Sequence, residues 1–518
     1  MKHTYLFLLV SAVATMSVFS QANSKKTDRP NIVLIMADDL GYSDLGCYGS
    51  EIKTPNLDKL ANNGLRFRTF YNMAKCNPTR PSLLTGLYNG GDGAVPIAAL
   101  AKNAGYNTIM SGKDHFDGWV PKYCYGNNAF DKCFTFWANT EYFIPPSGQF
   151  KTPFYLEGKM LEAAEIKHKK SPAYSTDFIT DYAIDWLDEV VQAEKPFFLY
   201  LPLHAPHYPL QARPEDIAKY RGKYLKGWDV IRSERYKRMQ KMGILSPNTR
   251  LSEPTSNINN SRQPHIKEFK EYYPWNTISE AKKDSLDLEM AVFAAMIDNM
   301  DQNIGRVIQK LKESGKLENT LILFLSDNGS CPYTSNEIPN VQPGPANSFW
   351  SMRAAWANAS NTPFRYFKQY GHEGGANTPF IAYWPGVIKP NSITDQVGHV
   401  VDIAPTFLDI FNTEYPSEIQ GFKTLPLHGS SLLPIFDGKQ RKEPEFFISG
   451  IDKYRMFRSG EWKIVQVNGL PTWELYNIKK DPTEMIDLAA KYPDKVKELD
   501  DKFKAVPFMK KSKQSKED

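Results

Sequence analysis

Asp38-Asp39 and Asp327-Asn328 each follow a short apolar run, and Cys76-Asn77-Pro78-Thr79-Arg80 lies between them in the chain. Together the two pairs offer three carboxylates and one amide oxygen. Adjacent carboxylates repel unless a cation sits between them, and oxygen donors suit a hard divalent ion, Ca²⁺ or Mg²⁺, better than zinc. Taken alone, Asp-Asp is more often an ordinary turn or helix cap; the second pair at an equivalent strand end tilts the reading toward metal. Around Cys76, Pro78 and the available Thr and Ser caps read as a loop running into a helix. The positive field at a helix start lowers a thiol pKa. Cys76 is thus a candidate nucleophile, with a buried structural cysteine as the plain alternative.

Two further apolar runs end in basic groups: Asn107-Thr108-Ile109-Met110 before Lys113 and His115, and Phe197-Phe198-Leu199-Tyr200-Leu201 before His204 and His207. Pro206 and Pro209 bracket His207 more tightly than a surface histidine requires. Short runs rich in β-branched and aromatic residues read as buried parallel strands, and ligands collect outside the carboxyl ends of such strands.

The elements that position these residues alternate, strand with helix, to about residue 420. That pattern predicts an α/β fold, a large, mostly parallel sheet sandwiched by helices. Apolar residues at helical spacing from Phe293 to Leu311 predict an amphipathic helix from about Asp284 to Lys312, leading through Gly315 into the strand before Asp327. A polar stretch, residues 211–283, is dense in Arg, Lys and Tyr, then in Asn, Ser and Pro. A loop of that length suggests an element roofing a site or a solvated excursion. From about Pro426 the texture changes to short strands, 445–449, 454–458 and 462–467, then a helical pattern from Leu488 to Phe503, so a small antiparallel sheet with a closing helix is expected. The expected division is a catalytic region over 28–425, a C-terminal subdomain over 426–505 and a basic tail over 506–518.

Lys+Arg 63 against Asp+Glu 58 gives a formal charge of +5 with both signs interspersed, which does not indicate nucleic-acid binding. Residues 1–22 read as a signal peptide: Lys2 and His3, an apolar stretch from Tyr5 to Phe19, then Ser20-Gln21-Ala22. Export, to the periplasm or outside the cell, is therefore expected, and no later segment is apolar enough to span a membrane. Export also favours disulfides, yet the five cysteines are an odd number. If Cys76 stands apart, Cys47, Cys124, Cys133 and Cys331 could form two bridges. Proximity favours Cys124 with Cys133, and buried free thiols are the alternative.

On these residues the chain resembles the type I sulfatases, a family with the alkaline-phosphatase-like fold, over nearly the whole mature chain and closest to its arylsulfatase branch. Cys76-Asn77-Pro78-Thr79-Arg80 with Thr85-Gly86 matches the signal by which a maturation enzyme oxidises the cysteine to formylglycine. Supporting similarities are Asp38-Asp39-Leu40-Gly41, Thr54-Pro55-Asn56-Leu57-Asp58, Gly112-Lys113-Asp114-His115, Ala205-Pro206-His207, Ser326-Asp327-Asn328-Gly329, and Phe364-Arg365-Tyr366-Phe367-Lys368 ahead of His372-Glu373-Gly374-Gly375. The resemblance implies a divalent metal, Ca²⁺ or Mg²⁺, at Asp38, Asp39, Asp327, Asn328 and residue 76. It implies that formylglycine hydrate at position 76 attacks sulfur, that Arg80 and Lys113 stabilise charge, and that His207 with Lys368 serves the leaving oxygen. His115 would accept the proton as the second hydroxyl expels sulfate, and His204 would be structural. Arg365 shares the short stretch with Lys368, and the sequence does not say which points inward. Leu87 and Asp114 depart from the residues many relatives carry there, Arg and Trp, and touch substrate contacts rather than the nucleophile.

The expected function is hydrolysis of sulfate monoesters, aryl or carbohydrate. A phosphomonoester or phosphonate hydrolase of the same fold and a non-catalytic binder of sulfated glycans are the alternatives.

Overall fold

Every residue of Asn31–Ala37 (β1) is buried, and its side chains alternate between two cores: Val33 and Ile35 face one, Ile32, Leu34 and Met36 the other. A strand covered on both faces belongs in the middle of a sheet. The computed structural model describes residues 29–506 except 89, 91–92, 116–128, 139, 146, 149, 255–273, 420, 451–453 and 467–470.

The large sheet comprises β1, Leu65–Phe67 (β2), Asn107–Lys113 (β3), Lys132–Phe136 (β4), Phe154–Leu156 (β5), Lys159–Leu161 (β6), Phe197–Pro202 (β7), Thr320–Ser326 (β8), Phe380–Tyr383 (β9) and Ser392–Thr394 (β10). Its order is β10-β2-β9-β8-β1-β7-β3-β4-β5-β6. The five central strands, β8-β1-β7-β3-β4, are parallel. The expected α/β architecture is therefore present, with antiparallel pairings confined to the flanks.

Register decides what the sheet presents. Ala37 pairs with Ser326 and Met36 with Pro202, so β1, β7 and β8 end level. Hydrogen bonding then continues past the strands: Asp327 N donates to Ala37 O and Asp38 N to Ala205 O, each at 3.1 Å. Both acidic pairs and the turn bearing His207 are thus anchored by backbone at one edge.

Helix Glu280–Glu313 (α4) supplies one core face and packs against Ser175–Val190 (α2). Burying each large aliphatic side chain of this kind contributes roughly 1.5–3 kcal/mol. The other face carries Cys76–Thr85 (α1), Ile97–Asn103 and Ile403–Phe411. Against the same core lies an antiparallel sheet of Phe446–Gly450 (β11), Tyr454–Ser459 (β12), Trp462–Val465 (β13) and Glu474–Asn477 (β14), closed by Pro493–Ala505 (α5). That last helix starts later than its periodicity suggested. Leu488 N donates instead to Leu475 O in β14, and Pro493 occupies the first turn, where a missing N–H costs nothing.

The polar stretch 211–283 is, where described, docked. Its helix Trp228–Lys241 (α3) buries Arg235, which pairs with Asp44 at 2.6 Å and Glu51 at 2.8 Å in the loop after β1. Cys47, Cys76, Cys133 and Cys331 are buried free thiols, so of the two possibilities the two-bridge framework does not form and buried thiols are found; Cys124 lies outside the described residues. Burial withholds these thiols from partners and raises the pKa of Cys47, Cys133 and Cys331. The expected leader and all but the first residue of the basic tail also lie outside the described residues. Among the described residues, no helix is long and apolar enough to cross a membrane.

Candidate active site

Cys76 opens α1 and is buried, and its Sγ lies with one carboxylate oxygen each from Asp38 and Asp327 in a group whose atoms are all within 4.8 Å of one another. Asp38, Asp39 and His207 form a second such group. Three segments far apart in sequence, at the ends of β1 and β8 and the start of α1, converge on one point. Thr79 ties the last two together: its hydroxyl donates to Asp327 O at 2.7 Å and accepts from Met73 N at 2.9 Å.

Each carboxylate has a cation. Lys113 Nζ bonds Asp38 Oδ2, Lys368 Nζ bonds Asp39 Oδ1 at 2.6 Å, and Arg80 reaches Asp327 Oδ2 through Nε at 3.1 Å and Nη2 at 2.8 Å. All six side chains are essentially buried. Burial opposes the charge on Asp38, but Lys113, His207, Arg80 and Lys368 overcome it and hold its carboxyl well below the usual range. Asp327 goes the other way: burial first, then the charge of Asp38, push it well above, more than Arg80 offsets. Burial also works against the Lys368 ammonium, yet the surrounding acidic groups, Asp39 foremost, keep its pKa well above the ordinary lysine value.

Despite three cations, acceptors remain. Asp38 Oδ1, Asp39 Oδ2 and Asn328 Oδ1 are buried with no hydrogen-bond partner. Orphaned buried oxygens are costly, and three from one constellation make a cradle of hard donors that fits a divalent cation. His207 sharpens the point. Its Nδ1 lies 2.6 Å from Tyr208 O, which can only accept, so Nδ1 carries the proton and Nε2 presents a lone pair. That Nε2 sits 3.4 Å from Asp39 Oδ2, and burial pulls the imidazole down to about 4, against the pull of Asp39. The contact is therefore not an ion pair at neutral pH: two acceptors face each other where a cation or a proton would fit.

His115 follows β3 with φ 50 and Nδ1 unpartnered; burial, reinforced by Lys113, brings it to about 2 and keeps it neutral. His204 is stacked on Tyr142 at 4.2 Å with Nε2 3.1 Å from Ser175 Oγ, a packing role. Arg365 turns away from the site, its guanidinium bonding Tyr476 and Glu484 O, so Lys368 is the inward residue. Gly329 lets the Asp327-Asn328 turn close: a Cβ there would stand 1.9 Å from Gly374 O.

The sulfatase family profile matches residues 30–413, and the profile of the N-sulphoglucosamine sulphohydrolase C-terminal region matches 364–507. The chain belongs to the sulfatase family. An uncharacterised sulfatase of Schizosaccharomyces pombe is 32% identical, over 93% of this chain and 94% of its own length. The arylsulfatase of Klebsiella aerogenes is 32% identical over 83% and 97%. An N-acetylglucosamine-6-O-sulfatase of Bacteroides thetaiotaomicron is 27% identical over 95% and 89%. Among solved structures, a protein in complex with its substrate D-glucosamine-2-N,6-O-disulfate superposes with a TM-score of 0.60 at 23% identity, over 94% of this chain and 98% of that one. The phosphonate monoester hydrolase of Agrobacterium radiobacter superposes at 0.55 with 19% identity, over 92% and 96%. This sulfatase therefore has the alkaline-phosphatase-like fold and is an enzyme acting on sulfate esters, which removes the non-catalytic binder from consideration.

Sequence reasoning missed three neighbours of the site. Tyr208 stacks on His207 at 4.3 Å, Thr79 braces Asp327, and Tyr454 of β12 donates to Met73 O at 3.2 Å. Thr79 lies inside the Cys76 motif and could have been singled out. Tyr454 could not, because only folding brings β12 there.

Proposed function

We propose that this sulfatase hydrolyses sulfate monoesters of carbohydrates, and aryl sulfates as convenient analogues, with residue 76 acting as formylglycine beside a Ca²⁺ ion, Mg²⁺ being the alternative metal. The observation that carries the reading is the grouping of residue 76 with Asp38 and Asp327. Formylglycine, made by a maturation enzyme from Cys76, would supply as its hydrate the oxygen nucleophile that a thiol does not. The metal, held by Asp38, Asp39, Asp327 and Asn328 next to residue 76, would polarise sulfuryl oxygens and the nucleophile.

The chain's own side chains do the rest. Arg80, braced by Lys113 O at 2.9 Å, and Lys113 itself present fixed positive charge where the sulfuryl oxygens gather charge. Lys368, kept protonated by Asp39, donates toward the leaving oxygen, and Tyr208 O holds the His207 ring so that Nε2 faces the same place. His115, neutral with a free Nδ1, is poised to accept a proton. Tyr208, stacked on His207, meets the rings of Tyr333 and Phe349 edge to face at about 6 Å, and Trp137 stands by His115, surfaces suited to sugar faces. The relative named for N-acetylglucosamine and the neighbour bound to a sulfated glucosamine support that substrate class. The N-terminal leader supports export to the periplasm or the medium.

The test is mass analysis of the peptide spanning residue 76, from protein co-produced with a formylglycine-generating enzyme, together with rates on sulfated monosaccharides and matched phosphate esters. An aldehyde and faster sulfate release are expected. An unmodified thiol in active enzyme, or faster phosphate release, would overturn the reading in favour of a phosphomonoester or phosphonate hydrolase.

A further inference from the structure

Lys463 of β13 is fully buried, and its ammonium lies 2.7 Å from Glu373 Oε1 and 2.7 Å from Glu484 Oε1. Neither carboxylate belongs to the site described above, yet both are bonded to the segments that enter it. Glu373 opens the short turn of helix after Lys368, and its backbone N–H donates to Glu484 Oε2 at 2.8 Å. Its own Oε1 accepts from Tyr71 OH at 2.6 Å, and Tyr71 begins the run to Cys76. The two segments are stitched further along: Asn72 N donates to Ala376 O at 2.9 Å and Gln369 N to Ala74 O at 2.7 Å. Lys368 itself donates from its backbone to Ser330 O at 3.2 Å.

From the other side the C-terminal sheet presses close. A Cβ on Gly371 would be 2.9 Å from Met456 Cβ in β12, and Arg365 is drawn to Tyr476 and to the carbonyl of Glu484. Glu484 adopts φ 57, an uncommon conformation for a residue with a Cβ, kept here by the contacts to Glu373 N, Lys463 and Arg365. Lys463 is the sole ion-pair partner of both carboxylates among the described residues.

We infer that Lys463 is a positioning residue for the sulfatase reaction: through Glu373 and Glu484 it sets the turn that holds Lys368 against Asp39. This rests on the leaving-group role proposed for Lys368. It makes the small sheet part of the catalytic apparatus without any of its side chains touching the reacting atoms. A displacement of about 1 Å at such a turn is enough to cost roughly 100-fold in rate, so the connection has a measurable consequence.

The test is a double-mutant cycle in the mature, metal-loaded full-length enzyme, using a series of aryl sulfates of graded leaving-group pKa and reading kcat and KM separately. Lys463→Met is expected to lower kcat by about 10- to 100-fold with little change in KM. The loss should steepen as the phenol becomes a poorer leaving group, as is expected of Lys368→Ala. In Lys368→Ala, adding Lys463→Met should cost nothing further, because the residue acts through Lys368. Should Lys463→Met not fold, Lys463→Met with Glu484→Gln removes one charge of each sign and carries the same expectation. Losses that multiply, or a kcat unchanged in a folded Lys463 variant, overturn the inference while leaving Lys368 in place. A wild-type rate in Lys368→Ala would instead overturn the leaving-group reading, and the inference with it.

Discussion

The ammonium of Lys368 lies 2.6 Å from Asp39 Oδ1, although 329 residues separate them, while Asp39 Oδ2 faces the bare lone pair of His207 Nε2 at 3.4 Å. One carboxylate thus has a satisfied oxygen and an orphaned one. The orphaned oxygen and the imidazole lone pair face each other across a gap that a cation or a proton would fill.

Lys368→Ala should therefore lower kcat by about 100-fold or more, within the usual range for loss of a proton donor. KM should change less, and nitrophenyl sulfates should be affected less than esters of more basic alcohols. Steady-state kinetics across a leaving-group series checks this.

Arg80 is fully buried and grips Asp327 Oδ2 with two nitrogens. Lysine has no planar fork, so Arg80→Lys should keep the fold and lose activity by about 100-fold. Arg80→Ala strips a buried carboxylate of its partner and should cost up to about 3–5 kcal/mol of stability, less whatever Asp327 recovers by taking up a proton, as its raised pKa allows. Urea unfolding of the two variants separates the effects.

Chelation should abolish turnover and lower Tm together, because the same three oxygens, Asp38 Oδ1, Asp39 Oδ2 and Asn328 Oδ1, lose their partner. At a hundredfold excess over Kd, bound metal stabilises by about 2.7 kcal/mol. The shift in Tm on adding Ca²⁺ should shrink in Asp327→Asn and persist in Lys463→Met; differential scanning fluorimetry reads it.

His399 supplies a stability prediction remote from the chemistry. Its Nδ1 accepts from Val401 N at 3.2 Å, and burial, helped by Arg441, brings its pKa from 6.5 to about 3. The folded state resists the proton that the unfolded chain accepts. The stabilisation is fully present above about pH 6.5 and is lost as pH falls toward 3, at up to about 1.4 kcal/mol per unit. His399→Asn should flatten that part of a stability–pH curve, measured by urea unfolding.

Much of the centre was legible because it sits at strand ends. A buried parallel strand is a run of apolar residues and its ligand-bearing groups lie among the first polar residues at or just past its end, so Asp38, Lys113, His207 and Asp327 could be picked out one strand at a time. The Cys76 motif is local and needed no fold at all. Legibility failed where a side chain's direction depends on distant contacts. Arg365 and Lys368 are equally basic and three residues apart; Tyr476 and the Glu484 carbonyl draw one outward, and Asp39 draws the other in. The cysteines were undecided for a related reason: the expectation of export favoured bridges over buried free thiols, and only the fold shows Cys47, Cys133 and Cys331 as buried free thiols.

Residue order alone thus determined the chemistry on offer, the strands that carry it and the helix that follows Cys76, since periodicity and short motifs depend on neighbours in the chain. Only the tertiary structure decided the register that levels β1, β7 and β8, the pairing of each carboxylate with its own cation, and the bracing of Lys368 by Lys463. Those depend on Coulomb and packing contacts between segments hundreds of residues apart, which no local pattern encodes.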